Sequence, residues 1–457
     1  MKTSYFAETA LLAEGWCSDV RFDVEDGRFV RICAEAPAED ADAEVIRLAG
    51  PVLPGMPNLH SHAFQRLMAG LAEVCRNPAD SFWSWRELMY GIVAKLSPED
   101  VGVIARQLYI EMLKAGYTQV AEFHYLHHQP DGQAYSDPAE TSQRILAAAD
   151  SSGIGVTLLP VLYSHADFGG LPASSGQRRF IHTTEDYLAL QYQLDSLLEA
   201  GSRHRLGSCF HSLRAVTPEQ ITQVLAQHSP EWPIHIHIAE QQKEVDACLG
   251  WSGKRPVQWL LDNVGLDSRW CLIHATHLDL SEVEGIARSG AVTGLCPSTE
   301  ANLGDGIFPG TDYLQHQGRF GIGSDSHVSL SISEELKILE YSQRLRDQQR
   351  NRLYGVNNPV VGDFLYRSAA QGGARACGIE AGEIASGKRA DFIVLDNSHP
   401  FIATAQPEQL INRWVFALNE NPVLDVYVAG QQQVAAGRHP LEERARNDFA
   451  QVLKRLL

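Results

Sequence analysis

His60 and His62 stand two apart in Leu59-His60-Ser61-His62, at the end of an apolar run that begins at Val52. In an extended strand alternate side chains share a face, so both imidazoles can converge on one ion. Two imidazoles suit zinc or another borderline divalent metal. Histidines two apart are also common on ordinary surfaces, and the rest of the chemistry comes from three later apolar segments. Ile234-His235-Ile236-His237-Ile238-Ala239-Glu240 puts His235 and His237 on one face and Glu240 just beyond. Leu272-Ile273-His274 and Gly321-Ile322-Gly323-Ser324-Asp325 each end on a polar side chain. His60, His62, His237 and Asp325 together form a nitrogen-rich set with one carboxylate, which leaves a position for water as catalytic zinc requires. A metal there lowers the pKa of that water toward about 7. Taken singly, each residue has a plainer reading, a hydrogen-bonded core histidine or an aspartate capping a helix. Their shared place at the ends of apolar runs favours the metal.

Positioning such a set needs a scaffold that brings strand ends together. Eight apolar runs alternate with amphipathic helical segments between about 53 and 376: 52–59, 118–125, 155–163, 205–213, 233–238, 270–274, 291–296 and 319–324. Eight strand–helix repeats predict an α/β fold, a closed (β/α)8 TIM-type barrel, whose catalytic groups sit at the C-terminal ends of the strands. His60, Tyr125, His211, His237, His274 and Asp325 all fall there. Residues 1–52 read as short strands, with Glu25-Asp26-Gly27 as a turn and an acidic loop over 34–44. Residues 377–457 return to short strands and end in a helix. The two chain ends are expected to build one small β-sandwich beside the barrel, residues 53–376.

Composition bounds the partners. The formal net charge of −18 argues against nucleic acid or an anionic membrane surface, both of which need a basic footprint. No apolar run reaches the length of about 18 residues that spans a bilayer, so no membrane span is expected. The first residues lack the pattern of a secretory signal. The eight cysteines form no C-x-x-C pair, and reduced thiols in the cytoplasm are expected.

The pattern His60-x-His62, His237-x-x-Glu240, His274 and Ser324-Asp325 resembles the amidohydrolase superfamily, and within it the mononuclear deaminase and chlorohydrolase branch. The stretch Gly382 to Asp396 resembles the strand pair that completes the sandwich of these enzymes. Cys296-Pro297-Ser298-Thr299-Glu300 resembles their strand-seven loop, which usually reads Pro-x-Ser-Asn. No lysine ends the fourth run, so the resemblance implies one Zn2+ per chain rather than two. It implies that His60, His62, His237 and Asp325 bind it. It also implies that Asp325 takes a proton from the attacking water, that Glu240 shuttles protons to the leaving amine, and that His274 stabilises the tetrahedral intermediate. Hydrolysis at a C=N carbon needs such groups.

Around the expected barrel mouth lie Arg86, in the insertion after the first strand, with Tyr125, His211 and Arg214. Guanidinium matches carboxylate bidentately, so this group suits a small dicarboxylate. Ordinary surface salt bridges are the alternative reading of the two arginines. The blocks Trp83-Ser84-Trp85-Arg86, Glu122-Phe123-His124-Tyr125 and His211-Ser212-Leu213-Arg214 resemble the formimidoylglutamate deiminase family of histidine degradation. That resemblance implies that Arg86, Tyr125, His211 and Arg214 hold carboxylates and that Gln65 approaches the formimino group. The rival readings are a deaminase of a purine, an adenosine derivative or a triazine, and a catalytically silent scaffold. A homodimer is expected from helices on a barrel's outer face. His235 is expected one layer deeper than His237, His277 and His327 behind the site, and His127 and His128 in a loop.

Overall fold

A computed structural model describes residues 2–37, 44–75, 82–199 and 201–457, with Phe82, Trp83 and Ser84 described as backbone alone. Part of the acidic loop expected over 34–44 and the side chains of Trp83 and Ser84 therefore lie outside the described residues. The central sheet is parallel and follows chain order, from Met56–Ser61 through Tyr117–His124, Gly155–Leu162, Ser208–Phe210, Ile234–Ile238, Trp270–His274 and Val292–Leu295 to Arg319–Ile322. A parallel bridge between Ser61 and Asp325 joins its first and last members and closes the barrel.

Local chemistry sets the boundaries of these elements. Pro98–Ala115 starts on a Ser97 capping box with Asp100 and stops at Gly116, whose φ of 101° only glycine adopts without strain. The chain then enters the second barrel strand directly. Leu280–Ser289 is capped by Asp279 and ends at Gly290 in the same manner. The barrel strands are buried along their whole length except at Arg319, which is why their sequences read as continuous apolar runs rather than as alternation.

Two of the expected runs divide. Residues 52–59 split at Gly55: Val52–Pro54 pairs with the terminal sheet, and Met56–Ser61 enters the barrel. A Cβ at Gly55 would lie 2.4 Å from the Thr118 side chain, so only glycine allows the chain to change sheets there. The expected division at 52/53 consequently cuts through a strand of the terminal sheet. The fourth run is split at Gly207, between Arg205–Leu206 and Ser208–Phe210, where a Cβ would meet Leu159 and the Pro233 carbonyl.

The chain ends form one continuous sheet of eight strands that curls over its own core, the arrangement expected as a sandwich. Its hairpin from Gly15–Glu25 to Arg28–Cys33 turns on Asp26 and Gly27, both at positive φ, the turn that Asp-Gly favours. Phe22, Phe29, Phe392 and Tyr427 pack inside it, apart from the main core. The C-terminal helix Glu442–Leu456 leaves this sheet and docks on Pro98–Ala115 through Lys114–Glu442 and Arg106–Asp448 ion pairs.

Candidate metal centre and pocket

His60, on the first strand, and His62, immediately after it, are buried. Both Nε2 atoms lie 3.4 Å from Asp325 Oδ1. His237, on the fifth strand, brings its Nε2 to 3.0 Å from that of His60. The tautomers follow from the outer hydrogen bonds. His62 Nδ1 donates to the Phe123 carbonyl at 2.9 Å and His237 Nδ1 donates to the His211 carbonyl at 3.0 Å. Their Nε2 lone pairs therefore point inward. Two inward lone pairs, a third imidazole and a carboxylate oxygen gathered in one buried space offer a cation its ligands. The ligand atoms of His60, His62 and His237 lie within 4.8 Å of one another, as do those of His60, His274 and Asp325. Burial, with the neighbouring imidazoles, holds His60 and His237 well below the usual histidine pKa, in the neutral form that ligates metal. The donor set fits a divalent ion.

Asp325 reaches this point through a tight loop. Its φ is 44°, and His327, two residues on, has φ 61°. The strain is held by Asp325 N donating to the His60 carbonyl at 3.0 Å and His62 N donating to the Asp325 carbonyl at 3.3 Å. His327 bridges Ser61 and Ser324, while Asn58 ties Ser324 to the first strand. Behind Ser61 lies Glu122, buried and raised to about 7 by that burial against hydrogen bonds from Ser61, Ala63 N and Tyr109.

Glu240 and His274 complete the reacting end. His274 Nε2 is 4.0 Å from Glu240 and 3.8 Å from Asp325. Burial disfavours charge on His274, but Glu240, Glu300 and Asp325 outweigh it and raise its pKa to about 10. Burial lifts Glu240 to about 7, with His274 opposing and Asp325 adding to the rise. A carboxyl poised near neutrality can both give and take a proton. Both strand ends are again left-handed, with φ 50° at Ala239 and 67° at His274. Glu244 holds the Ala239–Glu240 turn by accepting both backbone N–H groups.

A pocket adjoins these groups. Gln65, Arg86, Tyr125, His211 and Arg214 line it together with His62, His237, Glu240, His274 and Asp325. Gln65 donates to Tyr125 Oη at 3.1 Å. Arg86, expected in the insertion after the first strand, lies on the helix Phe82–Val93 within it, where Met89 and Tyr90 share its face one turn on.

Several contributors escape the sequence reading. Glu300 Oε1 accepts from His274 Nδ1 at 3.2 Å and from Cys296 N at 2.9 Å, which turns His274 Nε2 toward the pocket. Its place in the strand-seven block was visible, but its contact was not. Tyr90, Tyr163 and Phe180 line the pocket, yet in sequence they look like core residues. Of the other histidines, His235 bonds the Ala376 carbonyl below the site. His277 bonds the Asp305 carbonyl and not a candidate metal ligand. His127 lies in the loop after the second barrel strand, as expected, and is buried there.

The amidohydrolase family profile matches residues 52–432, and that of "Formimidoylglutamate deiminase HutF, N-terminal domain" matches residues 2–44. The formimidoylglutamate deiminase of Pseudomonas aeruginosa is 62% identical over 456 residues, 100% of each chain. The 5-methylthioadenosine/S-adenosylhomocysteine deaminase of Natronomonas pharaonis is 27% identical over 91% of this chain and 88% of its own. The crystal structure of an amidohydrolase from Brucella melitensis superposes with a TM-score of 0.94 at 45% identity, covering 99% of both chains. With its closed barrel, terminal sheet and histidine-rich centre, the chain belongs to the metal-dependent amidohydrolase family, alongside the formimidoylglutamate deiminases.

Proposed function

We propose that this hydrolase cleaves the C=N bond of N-formimidoyl-L-glutamate, giving N-formyl-L-glutamate and ammonia, as a step in histidine degradation. The observation that carries this reading is one pocket lined by both Arg86 and Arg214 and by Glu240, His274 and Asp325. Arginines matched to two carboxylates and a proton-transfer set at the closed end describe an amidine joined to a dicarboxylic acid. The full-length likeness to a deiminase of that name supports it.

In this reading His60, His62, His237 and Asp325 hold one zinc ion per chain, supported by three imidazoles with one carboxylate and by the lack of a lysine at the end of the fourth strand. When bound, the ion supplies Lewis acidity and lowers the pKa of water. Asp325 accepts the proton of the attacking water. His274, with Nδ1 tied to Glu300, turns Nε2 toward the oxygen that gains negative charge. Glu240 carries a proton to the departing nitrogen, which leaves as ammonia. Arg86, Tyr125, His211 and Arg214 bind the carboxylates, and Gln65, oriented by Tyr125, meets the formimino group. A neutral purine or triazine has no carboxylate for the two arginines, and a silent scaffold has no use for Glu240 raised to about 7 beside a ligand set.

The assembly is taken as a homodimer, as expected for helices on a barrel's outer face, and buried thiols at Cys209, Cys271 and Cys296 suit a reducing cytoplasm. No helix among the described residues is long and apolar enough to cross a membrane. Carbon NMR of the products from substrate labelled at the formimino carbon tests the bond assignment. A formyl carbon still attached to glutamate, with one equivalent of ammonia, is expected. Free glutamate with formamide would show that the other C–N bond breaks.

A further inference from the structure

Arg179 is 2% exposed and ends no ion pair among the described residues. Its guanidinium is satisfied almost wholly by main chain. Nη1 donates to the Val93 carbonyl and, at 2.9 Å, to the Leu96 carbonyl. Nε donates to the His128 carbonyl at 2.7 Å, and Nη2 to Tyr135 Oη at 3.2 Å. Its own carbonyl accepts from His127 N and His128 N, both at 3.0 Å. One side chain therefore joins three segments: the end of helix Phe82–Val93, the loop after the second barrel strand and the loop after the third.

Each segment carries a pocket wall. The helix brings Trp85, Arg86, Met89 and Tyr90, the second loop begins at Tyr125, and the third contains Phe180, next to Arg179. Phe180 packs edge-on against Tyr125, with ring centroids 4.9 Å apart. The helix presses on the third loop so closely that a Cβ at Gly176 would lie 2.7 Å from the Tyr90 ring. Val93 ends the helix, where backbone carbonyls lack partners within the helix and the dipole favours a cation. Only a planar fork with five donors reaches these acceptors together, and a lysine cannot.

We propose that Arg179 is a positioning residue for substrate binding: by clamping the end of the Phe82–Val93 helix to the two neighbouring loops, it fixes Arg86 at the distance the substrate carboxylate needs. This rests on the dicarboxylate reading above. The clamp touches none of the groups that move protons, so its loss acts on KM and leaves kcat nearly intact.

Steady-state kinetics of zinc-loaded Arg179→Lys with N-formimidoyl-L-glutamate tests this, with Arg367→Lys as control. Arg367 also donates to backbone carbonyls, those of Leu12 and Ala13, but joins the barrel to the terminal sheet away from the pocket. Arg179→Lys is expected to raise KM about tenfold or more with kcat within about threefold, while Arg367→Lys leaves KM within about twofold. An unchanged KM in Arg179→Lys, or a fall in kcat alone, overturns the proposal, because a general loss of folded enzyme lowers kcat without moving KM. If Arg179→Lys does not fold, Tyr135→Phe removes one clamp contact and is expected to raise KM about twofold to threefold; an unchanged KM there overturns the proposal equally. A wild-type enzyme that turns over no dicarboxylate amidine removes the substrate reading and the clamp with it. An active wild type with an unmoved variant KM removes the clamp alone.

Discussion

Ser61 and Asp325 pair as a parallel bridge that closes the barrel between its first and last strands. The seam of the fold and the candidate metal centre are therefore the same place. Gly323 makes that closure possible, since a Cβ there would lie 2.8 Å from His60 Cβ. The bond from Asp325 N to the His60 carbonyl then sets a carboxylate against two imidazoles. Residues that a bound ion would join are already joined by backbone, so metal affinity and barrel closure are coupled.

That coupling predicts that zinc stabilises the fold. A ligand that binds only the native state adds about 2.7 kcal/mol when present at about a hundred times its dissociation constant. Chelator-treated protein is expected to melt at lower temperature in differential scanning calorimetry and to recover on adding zinc. His237→Ala is expected to abolish the recovery and the bound metal measured by mass spectrometry.

Glu240→Gln keeps the shape but cannot carry the proton that the proposed function assigns to Glu240. The expected fall in kcat is about 10²- to 10⁴-fold, with metal content unchanged. An unaltered kcat would place the proton transfer elsewhere.

Arg214→Met replaces a buried guanidinium, 8% exposed, with an apolar side chain of similar length. Losing a charge-assisted contact costs about 1.5–3 kcal/mol, so kcat/KM for the dicarboxylate is expected to fall about tenfold to more than a hundredfold, mostly through KM. A KM that stays put contradicts the carboxylate assignment.

Acid should destabilise the fold through buried histidines outside the candidate ligand set. Burial lowers His124 and His182 from 6.5 to about 3. Each is neutral in the native state while the unfolded chain takes up a proton below pH 6.5. The stability that each neutral imidazole contributes is thus present above pH 6.5 and falls as pH drops toward the folded pKa. By pH 5 the loss is on the order of 2 kcal/mol per histidine. His124→Gln, which can still bond Thr141, is expected to flatten the decline of Tm between pH 7 and pH 5. An unchanged slope would mean that His124 does not carry it.

Much of this organisation is legible in the residues. His60, His62, His237, His274 and Asp325 fall at strand ends because a buried parallel strand reads as an apolar run, and its polar terminus stands out. Glu300 does not stand out, since it sits inside the helix Pro297–Leu303 and meets His274 only through the tertiary fold. Tyr90, Tyr163 and Phe180 are hidden for the opposite reason: a pocket wall and a core use the same apolar residues. The chain's change of sheets at Gly55 depends on the proximity of Thr118, which no local pattern encodes.

The most direct test of the central claim is ammonia release by purified, zinc-loaded enzyme from N-formimidoyl-L-glutamate, with guanine and adenosine assayed in parallel. Rapid release from the dicarboxylate amidine alone is predicted. Release from a purine alone would leave the metal centre standing and contradict the account of Arg86 and Arg214.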